Sequence, residues 1–523
     1  GGILTANAST VVVSTVTMTG GTSGTITVTT GAWTVSGSWN TSGAGSVYTQ
    51  GTGVVTFNAT ATITLLSSDN TFDDLTITPG GGNTVTLATN LIVTNVLTIT
   101  TGTFAKATFT FALGSLTMDG GDLTSTSGAV AVTGAVNISS ASSAIAFGSE
   151  AWTVSGTWTN ASTDGVVWEA GSGTVTFDSA TGGTMTFAGA NLAEDEFNNV
   201  TFNSSAGTAQ TFTMATRGLR FGGSLTVQDG TSTTALVTAG LAINNLSSGT
   251  LVVGDGGILT ASTSSVFIGS VQMTGGTSGV ITITTGAWQL GAVGAFSWDT
   301  SGAGSTFTAG TGTVTIGNGS GAPTVRHLVG QGFYDLVVDA GTTATLLSNL
   351  EATNSITVTV TGTLVAGSPS FDLRFVSLVV NGSFSMDGYI PSTFSLSTNM
   401  GDIMLTDWFA YNLTPLDVTW GFNPSAAGAT VTMTFNGLLA GMLVDLSRDG
   451  IIISPKTAVT IGGAANFVIS AGWSAHTMSM QRSPGTGGPG GPGGTMVTII
   501  VTYLDGSTYQ FTVENNVGID SIE

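Results

Sequence analysis

Two adjacent carboxylates, Asp73 and Asp74, are the residues whose type and spacing best suit chemistry. Paired carboxylates act as acid and base, or as nucleophile, in enzymes that cleave polysaccharides. The same two positions recur as Asn198-Asn199 and as Tyr334-Asp335 in two further copies of the surrounding motif. A reaction would not survive such changes within one chain, whereas a polar turn would. We therefore interpret the pair as part of a turn and predict no catalytic residue.

The other acidic and basic residues are scattered. Glu194-Asp195-Glu196 is the densest acidic run, and hard cations such as calcium take carboxylate oxygens as ligands. No EF-hand loop or Gly-Asp calcium repeat accompanies it, so we expect solvated turns and no cofactor, with a structural calcium ion as the alternative. Arg326-His327 is a lone basic pair in a predicted turn and is expected to lie at the surface or to form a salt bridge. His476 is expected on a strand.

Six tryptophans occupy repeated positions. Trp33, Trp152 and Trp288 are equivalent, and a second tryptophan follows each of them six to ten residues later, at Trp39, Trp158 and Trp298. Internal repetition of a large aromatic residue favours a stacked core. A sugar-binding aromatic face is the alternative.

The composition excludes several functional classes. Only 8 Lys and Arg face 29 Asp and Glu, so there is no basic footprint for nucleic acid. Cysteine is absent, which excludes disulfides and thiolate metal sites. No apolar run reaches the roughly 18 to 20 residues of a membrane span. Low charge (7%) with abundant Gly, Ser and Thr is typical of exported proteins, so we predict an extracellular or cell-surface location.

The chain repeats itself on a long period. Residues 256–288 match residues 1–33 without a gap, and AWTVSGSW at 32–39 returns as AWTVSGTW at 151–158. The repeating unit therefore has about 119 to 136 residues and occurs three times. Because the chain begins with Gly-Gly, in the middle of a repeat, we expect a processed or partial product whose first turn lacks a cap.

A shorter period lies inside this unit. Short strand-like runs recur about every 21 residues. This spacing suits one turn of a β-solenoid, in which the apolar residues of each turn stack on the next. A string of immunoglobulin-like sandwiches is the alternative. The central apolar residues of the runs are Val16, Val35, Val55, Leu75, Leu97, Leu116, Val136, Val154, Val175, Val200, Leu225, Leu251, Val271, Leu290, Val314, Leu336, Ile356, Leu378 and Leu396.

Near residue 385 the composition changes and the regular strand spacing is lost. Four segments are therefore predicted. Residues 1–385 form the solenoid with three internal repeats. Residues 386–482, with a turn signal at Asp449-Gly450, form a small antiparallel β-sandwich. Residues 483–495 form a Gly/Pro linker, and 496–523 form a C-terminal β-hairpin around Asp505-Gly506.

The runs SGTVTF (172–177) and FNNVTF (197–202) resemble surface-exposed β-strand-repeat proteins, which occur among bacterial and archaeal adhesins and cell-surface proteins. The resemblance covers about residues 1–385. It implies an all-β fold with a right-handed parallel β-helix, and an extracellular structural or adhesive role. It carries over no catalytic residue.

These features together predict a non-enzymatic structural protein, a subunit of a cell-surface filament or surface layer assembled head to tail from copies of itself. The alternatives are a carbohydrate-binding adhesin, with glycans as partners, and a polysaccharide-active β-helix enzyme. The hairpin is the expected strand donor, unless it folds back on 386–482. Its assembly candidates are Val497, Ile499, Val501, Tyr503, Phe511 and Val513.

Eleven Asn-x-Ser/Thr sequons make glycosylation plausible on an exported protein. The candidate residues are Asn7, Asn40, Asn58, Asn137, Asn160, Asn199, Asn203, Asn245, Asn318, Asn381 and Asn412.

Overall fold

The structure is a computed structural model, and every regular element that it describes is a β-strand. Beyond residue 365 it describes almost only the backbone. The described residues are 2–18, 24–66, 71–140, 142–162, 168–169, 171–187, 196–205, 207–245, 249–273, 279–291, 297–317, 321–366, 373–380, 383–386, 394–398, 401–405, 417–423, 430–438, 447–448, 451–452, 463–470, 477–484, 495–502 and 508–515.

Most of the first twenty strands of the chain have two to five residues. They are β1 (Ile3–Thr5), β2 (Val11–Val13), β3 (Val16–Thr17), β4 (Thr25–Thr27), β5 (Trp33–Val35), β6 (Trp39–Asn40), β7 (Val47–Thr49), β8 (Val54–Phe57), β9 (Ala61–Thr64), β10 (Asp74–Ile77), β11 (Thr84–Leu87), β12 (Leu91–Ile99), β13 (Thr103–Ala107), β14 (Phe111–Met118), β15 (Asp122–Ser125), β16 (Val130–Val132), β17 (Val136–Ile138), β18 (Ala144–Ala146), β19 (Ala151–Val154) and β20 (Trp158–Asn160).

The same pattern continues through the middle of the chain. The strands there are β21 (Trp168–Glu169), β22 (Thr174–Asp178), β23 (Gly183–Met185), β24 (Asn199–Asn203), β25 (Gln210–Met214), β26 (Leu219–Phe221), β27 (Ser224–Val227), β28 (Thr234–Val237), β29 (Ile243–Asn245), β30 (Thr250–Val253), β31 (Gly257–Ser262), β32 (Val266–Ile268), β33 (Ser270–Gln272), β34 (Val280–Ile283), β35 (Ala287–Leu290), β36 (Ser297–Thr300), β37 (Thr306–Thr308), β38 (Thr313–Ile316), β39 (Thr324–His327) and β40 (Phe333–Val338).

Longer strands appear towards the end of the chain. They are β41 (Thr343–Leu346), β42 (Leu350–Val358), β43 (Thr363–Ala366), β44 (Leu373–Val380), β45 (Ser383–Met386), β46 (Phe394–Thr398), β47 (Gly401–Leu405), β48 (Asp417–Asn423), β49 (Thr430–Leu438), β50 (Ser447–Arg448), β51 (Ile451–Ile452), β52 (Gly463–Ser470), β53 (Thr477–Pro484), β54 (Thr495–Thr502) and β55 (Thr508–Asn515).

Strands up to β45 pair in parallel with strands one turn away, which confirms the predicted parallel β-solenoid. It has about 15 turns. Part of the predicted series of central residues stacks in register, as Val55, Leu75, Leu97 and Leu116 do. The series Val314, Leu336, Ile356 and Leu378 does the same. Other members do not stack on the next one predicted, since Val16 pairs with Trp39 and Val136 with Trp158. The alternative of immunoglobulin-like sandwiches is wrong for this part, because the sheets of such sandwiches are antiparallel.

The chain divides into two compact units, residues 1–268 with 273–282, and residues 269–272 with 283–523. Within each unit the solenoid strands alternate between inward apolar and outward polar residues, as a half-buried strand requires. Leu97 and Ile99 in the first unit, and Ile356 and Val358 in the second, are fully buried. The core of each unit is therefore a stack of apolar layers, one from each turn.

Glycine allows the corners of successive turns to lie in contact. A Cβ atom on Gly171 would overlap the carbonyl oxygen of Gly148 one turn earlier. A Cβ on Gly148 would in turn overlap the carbonyl of Thr126. Because only a residue without a side chain fits at such corners, the high glycine content follows from the stacking.

Antiparallel pairs appear from β46 onward, although β46 and β49 both pair in parallel with β44. The antiparallel pairs join β46 to β47, β47 to β48, β48 to β53 and β49 to β52. A sandwich of two facing sheets stays a prediction. Asp449-Gly450 and most of the predicted linker, 485–494, lie outside the described residues.

The last two described strands, β54 and β55, pair antiparallel. The other edge of β54 pairs with β53, so these two strands extend the preceding antiparallel strands. The predicted hairpin over 496–523 and its role as a strand donor stay predictions. Asp505-Gly506 at its turn lies outside the described residues.

Candidate functional site

The carboxylate pair at Asp73-Asp74 lies at the start of β10, directly after the buried ring of Phe72. Asp74 Oδ1 accepts hydrogen bonds from Asn95 Nδ2 at 2.8 Å and from the amide of Val96 at 3.2 Å, both on the next turn. Asp73 Oδ1 accepts one from Thr94 Oγ1 at 3.0 Å. Both carboxylates thus connect neighbouring turns.

The two other copies use this position in the same way. Asn199 Oδ1 accepts from the amide and the hydroxyl of Ser224, at 2.8 and 3.0 Å. Asp335 Oδ1 accepts from Asn354 Nδ2 at 2.7 Å and from Ser355 Oγ at 2.5 Å. A carboxylate and an amide therefore serve equally as acceptors from the following turn, which supports the interpretation of this motif as a polar turn.

The remaining acidic residues do not converge in the described part of the chain. Burial raises the pKa of Glu196, and the positive charge of Arg220 opposes this shift. Glu194 and Asp195 lie outside the described residues. Within the described segments, no three His, Asp or Glu side chains are arranged to hold a metal ion. Calcium binding stays an untested alternative.

The carboxylate of Asp229 accepts several hydrogen bonds within one turn, and the sequence analysis did not identify this residue. Its carboxylate accepts hydrogen bonds from the amides of Thr231 and Ser232 at 2.9 and 3.0 Å, and from the Ser232 hydroxyl at 2.8 Å. Burial pushes the pKa of Asp229 upward, but these hydrogen bonds outweigh it, so the pKa lies below its ordinary value. This carboxylate is thus committed to shaping a turn.

The six repeated tryptophans lie in the core, which confirms the packing interpretation. Each is at most 1% exposed. The two rings of each copy lie 5.9, 6.5 and 6.0 Å apart, and all three pairs meet edge to face. The second tryptophan of each pair also contacts the phenylalanine that precedes the polar turn, Phe72, Phe197 or Phe333. A sugar-binding face built from these six side chains is excluded, because sugars cannot reach them.

His327 is buried, contrary to the expectation of a surface residue. It ends β39, is 4% exposed, and its ring lies 4.5 Å from that of Phe333. Its Nδ1 is 2.9 Å from the hydroxyl of Thr300, and no described group hydrogen-bonds to its buried Nε2. Burial lowers the pKa of His327 to about 3, against the opposing effect of Asp299, so the ring is neutral near pH 7.

The other copies of the repeat explain how His327 fits. Strand pairing aligns His327 opposite Thr300, and the same rung brings Phe187 opposite Asn160 and Leu65 opposite Thr41. Leu65 and Phe187 are apolar and buried. His327 therefore replaces an apolar core residue, and comparing the three copies in the sequence would have revealed this.

Lys106 is a second buried polar residue that was not predicted. It points inward from β13, and its Nζ donates hydrogen bonds to the carbonyls of Ser127 and Gly128, the latter at 2.7 Å. The ammonium also lies 5.7 Å from the centre of the Phe111 ring. Burial lowers the pKa of Lys106, and the negative charge of Glu150 partly restores it.

Glu150 is buried in the same unit and accepts hydrogen bonds from Trp152 Nε1 at 3.0 Å and from the amide of Gly148 at 2.9 Å. It stands two residues before a repeated tryptophan, where the other copies have Gly31 and Gly286. Its negative charge acts on the ammonium of Lys106. The exchange of Gly for Glu was the signal available in the sequence.

The sequons differ in accessibility. Asn7, Asn58 and Asn137 are exposed, and Asn40, Asn199 and Asn203 are half-buried. Asn160 and Asn245 are at most 2% exposed, and Asn245 donates to the carbonyl of Phe221 at 2.9 Å. Asn160 and Asn245 are therefore no longer glycosylation candidates, because a glycan on either would have to occupy the core. Asn318, Asn381 and Asn412 lie outside the described residues.

The assembly candidates lie mainly in the final hairpin. Val497, Ile499 and Val501 belong to β54, and Phe511 and Val513 belong to β55. Tyr503 lies outside the described residues. Their role in assembly stays a prediction.

Comparisons of the chain with protein-family models, with curated proteins and with solved structures gave no match. In the described part of the chain, no helix is long and apolar enough to cross a membrane.

Proposed function

We propose that this chain is an extracellular structural protein, a subunit of a cell-surface filament or surface layer that assembles head to tail. The observation that carries the proposal is the role of the Asp73-Asp74 motif, which was the strongest candidate for chemistry in the sequence. In all three copies, the Asp or Asn side chain accepts hydrogen bonds from the following turn. A motif used three times to join turns serves the stacking of a solenoid.

The buried polar residues support the same proposal. Lys106 and His327 are buried within their units. Lys106 donates to the carbonyls of Ser127 and Gly128, and His327 stands in place of an apolar core residue. The six repeated tryptophans, the candidates for sugar binding, fill the core. These buried polar and aromatic side chains therefore stabilise the contacts between neighbouring turns, on which a solenoid depends.

Electron microscopy of native material, compared with a variant that lacks residues 484–523, tests the proposal. We expect filaments or a lattice from the full chain and a loss of order from the deletion variant. A protein that stays monomeric at every concentration would overturn assembly. A glycan array tests the alternative of a carbohydrate-binding adhesin, and a screen for hydrolase and lyase activity tests the alternative of an enzyme. Specific turnover of any polysaccharide would overturn the structural function.

A further inference from the structure

The last long strand of the solenoid, β44, is paired along both of its edges. One edge pairs in parallel with β42, from Leu373 to Val380. The other edge pairs in parallel with two different strands, with β46 at Leu373 and Arg374 and with β49 from Ser377 to Val380. The side of β44 on which a further turn would stack is therefore occupied.

The two strands on this side meet at an irregularity of the solenoid sheet. The pairing of β42 with β44 changes register between Ala352 and Ser355. The pairing of β40 with β42 changes register at the same place, between Phe333 and Asp335, which belong to the polar turn of the third copy. β46 and β49 thus pair with β44 on either side of this turn, so that each half of β44 has its own partner.

Beyond these two strands the direction of pairing changes. β46 pairs antiparallel with β47, and β49 pairs antiparallel with β52. The first series continues through β48, β53 and β54 to β55. The outer edges of β46 and β49 are therefore occupied as well. Among the described strands of this sheet, the parallel stacking of turns ends at β46 and β49.

The last turns of the solenoid have buried apolar residues like the turns before them. Leu364 on β43 is fully buried, and Phe375 on β44 is 2% exposed. Phe375 lies between the residues of β44 that pair with β46 and those that pair with β49. A turn of a solenoid needs neighbours on both sides, because no turn can bury its apolar residues alone. At β44 the neighbours on the far side are β46 and β49, in place of another complete turn.

We infer that β46 and β49 form a cap that closes the β44 edge of the solenoid against the addition of another parallel strand, including a strand from a second copy. An open edge strand presents a row of unpaired N–H and C=O groups, which recruits strands from other chains. Repeat proteins depend on terminal units of a different structure to stay soluble. The cap concerns the sheet of β44, since β45 in the neighbouring sheet pairs only with β43 among the described strands.

The cap goes beyond the proposed function, because it is a property of the single chain and holds whether or not copies assemble. It also limits how they would assemble. Because the β44 edge is closed, copies that join head to tail would have to meet at other surfaces than this edge.

Proline substitutions in the full chain test the cap, because proline in a central strand removes a hydrogen bond of the sheet and disrupts the strand. Met433→Pro disrupts β49, which pairs with β44. Phe467→Pro is the matched control, because Phe467 lies opposite Met433 on β52, one strand further from the solenoid. Amide hydrogen exchange over β12 and β14 verifies that the first unit stays folded.

We expect the amides of β44 to exchange at least tenfold faster in Met433→Pro than in the wild-type chain, and at the wild-type rate in Phe467→Pro. Met433→Pro should also bind thioflavin T more strongly than the wild-type chain, because its open edge recruits further strands. Equal exchange of β44 in the two variants, or faster exchange in Met433→Pro without any gain in thioflavin T binding, would overturn the cap.

Disulfide formation is a second measurement, which leaves the strands intact. The chain has no cysteine, and Ser377 and Thr432 are aligned partners on β44 and β49. Neighbouring strands lie about 4.8 Å apart, a distance that a disulfide can bridge. Under mild oxidation we expect Ser377→Cys/Thr432→Cys to form an intramolecular disulfide at least tenfold faster than the control Ser377→Cys/Thr434→Cys, which is shifted by two residues. Equal rates, or a faster reaction in the shifted pair, would overturn the pairing on which the cap depends.

Discussion

At the scale of single residues, His327 shows how this core tolerates a polar group. Its neutral ring packs against Trp298, Phe307 and Phe333 and keeps one hydrogen bond, to Thr300. The charged form of the ring is disfavoured, because it would be buried among aromatic side chains and away from water. Stability should therefore depend on the protonation state of this ring.

We predict that acid destabilises the second unit through His327. The pKa of the ring is about 3 in the folded chain, against an ordinary value of 6.5, so the unfolded chain binds the extra proton between these values. The stabilisation is complete above pH 6.5 and falls towards pH 3, by up to about 1.4 kcal/mol per pH unit. His327→Leu, which copies Leu65, should lack this slope. Unfolding free energies of both proteins across pH 3–7 check it, and parallel curves would contradict it.

Sequence reasoning was most accurate where a feature repeats. The stacked central residues, the buried tryptophans and the polar turn at Asp74 recur in three copies, so periodicity and comparison between copies revealed them. Lys106, Glu150 and His327 each occur in one copy only. Their burial depends on carbonyl groups and rings of neighbouring turns, which are about twenty residues away in the sequence. The residues next to them in the sequence therefore do not predict it.

At the scale of the element, the polar turn connects neighbouring turns of the solenoid by side chains as well as by the sheet. Asp74, Asn199 and Asp335 all accept hydrogen bonds from the turn that follows. Because Asn occupies the position in one copy, its side-chain oxygen, and not a charge, is what the position needs.

We therefore predict that Asp335→Asn changes the free energy of unfolding by less than about 0.5 kcal/mol. Asp335→Ala should cost about 1 to 2 kcal/mol, because Asn354 Nδ2 and Ser355 Oγ lose their acceptor. Urea unfolding of the two variants against wild type measures the difference. If Asn proved as damaging as Ala, the negative charge would matter and the polar-turn interpretation would fail.

At the scale of the whole molecule, the chain is a series of stacked parallel turns followed by strands that pair mostly antiparallel. Its charge is unevenly distributed, since residues 1–68 have no charged side chain. Local stacking rules account for each unit internally, since every turn contacts its neighbours. They do not predict which surfaces of different copies meet, so the association itself has to be measured.

Sedimentation velocity of the purified chain over a wide concentration range tests the central claim of a self-assembling structural protein most directly. A single chain has a mass of 52.1 kDa. We predict that the weight-average mass rises steadily above this value with increasing concentration, as head-to-tail association without closure requires. A mass that stays at 52.1 kDa at every concentration would contradict the account.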